Sequence, residues 1–225
     1  MVIQETGLKM KNKLIFEKMQ KDVYAIYNQI SENNKNLYHD HGIVHINNVI
    51  STIEEVLKEL GYEDEFIYAG KIAALLHDIG YINGKEGHAE RSYLMAKNYF
   101  KENEINTGYN LEILEAIKLH GGKEKTENIL ACALIFADKI DIKKDRLTSF
   151  GLESDEVSEF KYINDIKVNI SNDTLTVCFI MDKLINKKKL ESYYFIPKVF
   201  NAIESFSKVI NKKPIIYFNN EKWLI

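Results

Sequence analysis

The chain is poor in the residues that interrupt helices or staple small folds: of 225 residues, 2 are proline and 2 are cysteine. So few prolines favour long helices joined by compact connections. The cysteines, Cys132 and Cys178, lie far apart within apolar segments. They read as reduced packing residues, which excludes a disulfide framework and a cysteine-type zinc site. No apolar run approaches the roughly 18 residues needed to cross a bilayer, and the N-terminal stretch lacks the apolar core of a signal peptide. A soluble, cytoplasmic protein without a membrane partner is the expectation. Neither sign of charge dominates: 30 Lys and Arg stand against 33 Asp and Glu, a formal net charge of −3. That balance gives no electrostatic footprint for a nucleic-acid duplex. Lys187-Lys188-Lys189 is the one short basic run and reads as a solvated turn. Internal repeats and low-complexity tracts are lacking too. Hydrophobic residues at 45% and charged residues at 28% are ordinary for a globular protein of this length, which can bury one core or a core plus a small appendage.

What is present is helical periodicity. Apolar residues at spacings of three and four predict a helix over about 11–31 and another from about His41 to Leu60. In that second helix His41 and His45 would share a face, one turn apart. Glu63 to Asp78 has almost no polar stripe, as expected of a helix at the centre of a bundle. It ends in His77-Asp78 and turns out at Gly80; Tyr81–Gly87 is expected to be a loop. His88 then opens a helix with Ala89, Tyr93, Ala96 and Phe100 inward. Asn110–His120 follows, with Leu111, Leu114 and Ile117 as its stripe. Thr126 to about Ile142 forms the next helix, with Asp138 inside an apolar run. Residues 143–165 are polar and read as a linker with a helical turn or two. Beyond it, Ile166–Ile170 and Leu175–Phe179 alternate with period two across Asn172-Asp173, a hairpin signal. Pro197 suits the first turn of a helix, and a terminal hairpin is expected from Pro214 onward.

The residue types that carry chemistry are concentrated. All 6 histidines lie between residues 39 and 120. His41, His45, His77, His88 and His120 occupy helix ends or inner faces, and Asp78 and Asp138 are embedded in apolar helices. A buried carboxylate beside a buried imidazole is costly unless partnered, and a cation is an economical partner. Imidazole with carboxylate and no thiolate suits Fe, Mn, Co, Ni or Zn bound partly to water. A short carboxylate at Asp78 can serve two such ions, and ions roughly 3.5–4 Å apart clamp a phosphoryl group and activate water near neutral pH.

The set His45-Ile-Asn-Asn-Val, Leu-Leu-His77-Asp78-Ile-Gly, His88, His120-Gly-Gly and Ala-Asp138-Lys-Ile-Asp-Ile resembles the HD superfamily of metal-dependent phosphohydrolases across about residues 37–146. The resemblance implies a mainly α fold, an HD-domain helical bundle with a small C-terminal α/β appendage. It also implies one metal, Mg among the choices, on His45, His77, Asp78 and Asp138, and a second on His88 and His120 with Asp78 bridging. The spacing is similar to that of bacterial dinucleoside-tetraphosphate hydrolases of this superfamily. The implied activity is cleavage of a phosphoester or phosphoanhydride, of a nucleotide or dinucleoside polyphosphate, by metal-activated hydroxide. The segment Tyr38–His45 also looks like the opening motif of cyclic-nucleotide phosphodiesterases, in which the residue at the place of His41 protonates the leaving oxygen. A His41 that caps the helix or supports a ligand from behind is the equal alternative, and the rest of that pattern is absent. His39 reads as a surface or capping residue.

Expected phosphate contacts are Lys85, Arg91, Lys123 and Arg146, the last with Asp141 or Asp145 as alternative partners. The domain division expected is 1–150 for the helical metal-binding part and 161–225 for a hairpin–helix–hairpin module. That module is expected either to cover the mouth of the site or, through exposed strand edges, to mediate a homodimer. Two rival readings use the same residues: a mixed-valent di-iron oxygenase, and a non-catalytic module that binds a nucleotide through the fold.

Overall fold

The computed structural model describes residues 11–122 and 126–224. Its helices are α1 (Lys11–Asn33), α2 (Ile43–Glu59), α3 (Asp64–Leu76), α4 (His88–Glu102), α5 (Asn110–Leu119) and α6 (Ile129–Ile140). The α3 helix is the hub, packed against α1, α2, α5 and α6. Its sequence dictates this, since Ile67, Ala69, Gly70, Ile72, Ala73, Ala74, Leu75 and Leu76 are all buried. Small residues let neighbours approach closely: a Cβ on Gly70 would meet Ile53 and Leu57 at 2.7 Å. The large ones supply stability, roughly 1.5–3 kcal/mol for each fully buried Ile or Leu. Tyr27 of α1 ties the end of α3 by donating its hydroxyl to the Leu75 carbonyl at 2.8 Å.

Several boundaries differ from the sequence expectation, each for a local reason. The α2 helix starts at Ile43 with Gly42 as its N-cap, so His41 lies outside it and caps nothing. After Asp78 the chain winds into a 3-10 turn, Ile79–Asn83, which takes Tyr81–Asn83 out of the expected loop. The guanidinium of Arg91 braces the remaining loop, 84–87, by donating to the carbonyls of Gly80 at 3.0 Å, Glu86 at 2.5 Å and Gly84. In α5 the buried stripe is Ile113, Ala116 and Ile117, whereas Leu111 is 82% exposed. The α6 helix begins later than Thr126, because the Asn128 side chain caps it by accepting from the Leu130 and Ala131 amides.

The stretch 143–165 is more ordered than a linker. It holds 3-10 turns at Lys144–Arg146 and Ser158–Tyr162 and the short helix α7 (Ser149–Glu153), and it buries Arg146, Val157 and Phe160. Strands β1 (Ile163–Ile170) and β2 (Thr174–Met181) form the expected antiparallel hairpin, with Val168 opposite Val177. Helices α8 (Lys187–Glu191) and α9 (Ile196–Val209) lead to β3 (Lys213–Phe218) and β4 (Glu221–Lys222). The two hairpins are not separate: β2 pairs with β3 in parallel, Val177 opposite Ile216, giving one sheet in the order β1-β2-β3-β4. Lys187–Lys189, expected as a turn, forms most of α8, and Lys189 pairs with Asp155 at 2.9 Å. Trp223 is buried with its ring 5.1–5.7 Å from those of Phe179, Phe200 and Phe218. The β1 edge lies against α2, where Glu59 accepts from the Ile170 amide at 2.6 Å. On the other side α9 lies along α6, with Phe206 stacked on Phe136 at 4.7 Å. The molecule is mainly α with a small C-terminal sheet, and no described helix is long and apolar enough to cross a membrane.

Candidate metal centre

Five helices bring polar residues to one point. The α3 helix ends at His77 and passes Asp78 into the 3-10 turn, α4 begins at His88, α5 ends at His120, and α6 brings Asp138 in its last turn. His45 comes from the first turn of α2. The α4 helix can start so near Asp78 because Gly80 has no side chain: a Cβ there would lie 2.3 Å from the His88 carbonyl oxygen. The Gly80 amide donates to the Ser92 hydroxyl at 2.9 Å, which fixes that approach.

Asp78 is the centre. Its Oδ1 lies 3.2 Å from His120 Nε2 and 3.5 Å from His88 Nε2. Its Oδ2 lies 2.7 Å from His41 Nδ1, 3.4 Å from His77 Nε2 and 3.7 Å from His45 Nε2. Asp138 Oδ1 adds contacts of 3.3 Å to His45 Nε2 and 4.0 Å to His77 Nε2. Three groupings of potential ligand atoms result: His41 with His45 and Asp78; His45 with His77 and Asp138; and His77 with Asp78 and His120.

The tautomers follow from what each Nδ1 touches. His45 Nδ1 donates to Asp141 Oδ2 at 2.8 Å, and those of His77, His88 and His120 donate to the carbonyls of Ala74, Lys85 and Ile117, each at 2.7 Å. Carboxylates and carbonyls have no proton to offer, so the proton of each neutral ring sits on Nδ1 and the lone pair on Nε2 points to the centre. Nε2 of His45 and of His77 is buried without a hydrogen-bond partner. The Nε2 atoms of His88 and His120 face each other at 2.9 Å. Two lone pairs so close repel unless a proton or cation lies between them. Orphaned imidazole lone pairs, each backed by an acceptor on the far nitrogen, are the donor set of a metal site.

The charges agree. Burial pushes the Asp78 carboxyl up, but His77, His41 and His120 outweigh it and hold it well below the usual range. Burial likewise raises Asp138, and Lys139, His45 and His77 reverse the sign. Burial lowers His77, yet Asp78 and Asp138 bring it above its ordinary value. His41 goes the other way: burial drives it down to about 3 against the pull of Asp78. Its ring stacks on Tyr81 at 3.8 Å.

Asp141 escaped the sequence reading in this role, although its place one turn beyond Asp138 was a usable signal. It is buried, holds His45 Nδ1, and accepts from Asn48 Nδ2 at 3.1 Å. His39 is half-buried rather than exposed. It stacks on Phe160 at 5.4 Å with its Nδ1 buried and unpartnered, and burial beside Arg146 lowers its pKa to about 2.

The four expected phosphate contacts fare differently. Arg146 is buried and donates to the carbonyls of Asp141 at 2.8 Å and Asp138 at 3.4 Å, with its guanidinium 3.7 Å from Asp138 Oδ1. Arg91 is engaged with the carbonyls of the loop before α4. Lys85 is exposed in that same loop. Lys123 lies outside the described residues.

No curated protein matches the chain. A family model does match, and its span takes in every clustered ligand candidate except His41, one residue ahead of it: residues 42–143 match the HD domain.

Proposed function

We propose that the site is a two-metal phosphohydrolase centre of the six-ligand kind. It would cleave a phosphoester or phosphoanhydride of a nucleotide or dinucleoside polyphosphate. The observation that carries the proposal is the split of the Asp78 carboxylate, with Oδ1 turned to His88 and His120 and Oδ2 turned to His45 and His77. His45, His77, Asp138 and Oδ2 would hold one divalent ion, and His88, His120 and Oδ1 the other. When bound, two such ions supply an activated water and neutralise charge on the phosphoryl oxygens. The chain's own residues do the rest. Asp141 and the carbonyls of Ala74, Lys85 and Ile117 fix the imidazole planes. His41 holds Asp78 Oδ2, and its resting ring is neutral. Substrate negative charge favours a second proton on that ring, which His41 passes to the leaving oxygen. In this reading residues 161–225 are a module added to the 1–150 helical part.

Elemental analysis of the purified protein, with a hydrolysis screen over mono-, di- and cyclic nucleotides and dinucleoside polyphosphates, tests this. Two ions per chain and hydrolysis of at least one of these substrates with Mn, Co or Mg are the expected result. Obligatory iron with O₂ consumption and no hydrolysis of any of them would replace it with the di-iron oxygenase reading. Asp78→Ala is expected to lose both ions and all but about a thousandth of the hydrolysis. Retained metal and turnover in that variant would remove the bridge.

A further inference from the structure

Tyr81 belongs to none of the groups of potential ligands, yet it touches two of the rings to which the proposed reaction gives work. It sits in the 3-10 turn that follows Asp78 and is 4% exposed. Its backbone is fixed at both ends. The amide donates to the Asp78 carbonyl at 2.9 Å, and the carbonyl accepts from the Gly84 amide at 2.8 Å. The turn packs against α1 and α4, so the ring stands on a rigid base. The His41 ring lies on it at 3.8 Å with 18° between the planes. The His88 ring meets it at 4.2 Å with 42° between the planes.

We infer that Tyr81 is a positioning residue, whose ring sets the planes of His41 and His88 together and so couples the donor of the leaving-group proton to the open-side ligand. This rests on the two-metal phosphohydrolase reading for what those two imidazoles do. His41 lies ahead of α2, and among the described residues its ring makes one hydrogen bond, from Nδ1 to Asp78 Oδ2 at 2.7 Å. A ring on one hydrogen bond can still swing about it, and a flat aromatic face in contact removes that freedom. His45 meets His41 only edge-on, at 5.6 Å, so the plane of His41 is set by Tyr81. His88 opens α4, its Nδ1 is held by a carbonyl of the preceding loop, and its side chain is 20% exposed. Tyr81 is the packed surface against which that half-open ring rests. Both contacts are made by the ring, so the inference needs the aromatic face and not the hydroxyl.

Two measurements separate positioning from general support of the fold. In the manganese-loaded protein with diadenosine tetraphosphate, Tyr81→Leu is expected to lower kcat about tenfold at constant KM. In a His41→Ala background the same substitution should cost nothing further, since a residue that acts through another has no effect once the other is gone. Chelator competition reads the second contact without turnover. Tyr81→Leu should weaken one of two manganese ions about tenfold and leave the single ion of His88→Ala unchanged. Tyr81→Phe, which keeps the ring, should recover the parental values in both measurements. A kcat loss that persists in full without His41, or unchanged affinity for both ions, would overturn the inference. If nothing in the nucleotide screen is hydrolysed, yet Tyr81→Leu still weakens one ion through His88, the tie to the open-side ligand stands and the hydrolase reading falls.

Discussion

The two sides of Asp78 are built differently. On the Oδ2 side the His45 and His77 side chains are 0% exposed; Asp141, itself held by Asn48, backs His45, while His77 is backed by the Ala74 carbonyl. On the Oδ1 side the His88 side chain is 20% exposed, and both His88 and His120 are backed only by main-chain carbonyls. A carboxylate behind an imidazole makes it a stronger ligand than a carbonyl does, and a closed site exchanges its ion more slowly than an open one. In the two-metal reading the difference implies a division of labour: the deep side would retain its ion, and the open side would exchange its ion and face the substrate.

His88→Ala would break this asymmetry most. It should remove the open-side ion and cut hydrolysis by about two orders of magnitude, while one ion per chain survives dialysis. Loss of both ions, read by elemental analysis, would contradict the division. Asp141→Asn sharpens the comparison from the other side. It leaves His45 in place but weakens its support, so deep-site affinity should fall roughly 10–100-fold with the open site unaffected. Competition with a chelator of known affinity measures both.

The smallest effect concerns His39, packed behind the deep side. Its folded pKa of about 2 lies below the unfolded value of about 6.5, so the unfolded chain binds more protons between those limits. Stability therefore falls as pH drops through that window, by about 2 kcal/mol between pH 7 and pH 5 from this residue. Urea unfolding of His39→Leu at the two pH values should show a loss smaller by that amount.

Much of this was legible in the sequence, and the exceptions have physical causes. The candidate ligands stood out because ionisable groups inside apolar helices need partners, and the bundle brings His45, His77, Asp78, His88, His120 and Asp138 near one another. The α5 stripe slipped because Ile113 and Ile117 define one face while Leu111, at the first turn, projects into solvent. The start of α2 was misplaced because Gly42 can serve as an N-cap without a side-chain signal. Arg146 was expected at a phosphate or beside the Asp141 or Asp145 carboxylate, since a single sequence does not show which carbonyls a guanidinium will reach. Parallel pairing of β2 with β3 depends on how α9 packs, which no local pattern encodes.

Gly80 ties the two sides together mechanically. Its backbone is pressed against the start of α4, with Ser92 clasping its amide, so any shift of that helix is transmitted to the carboxylate two residues upstream. In the two-metal reading the pair of cation positions would thereby be geared, since the backbone contact that sets the place of His88 against Asp78 leaves no room for even a methyl group. A variant that opened that contact would alter the span between the ions before it altered any ligand, and would retune which oxygens the site can straddle.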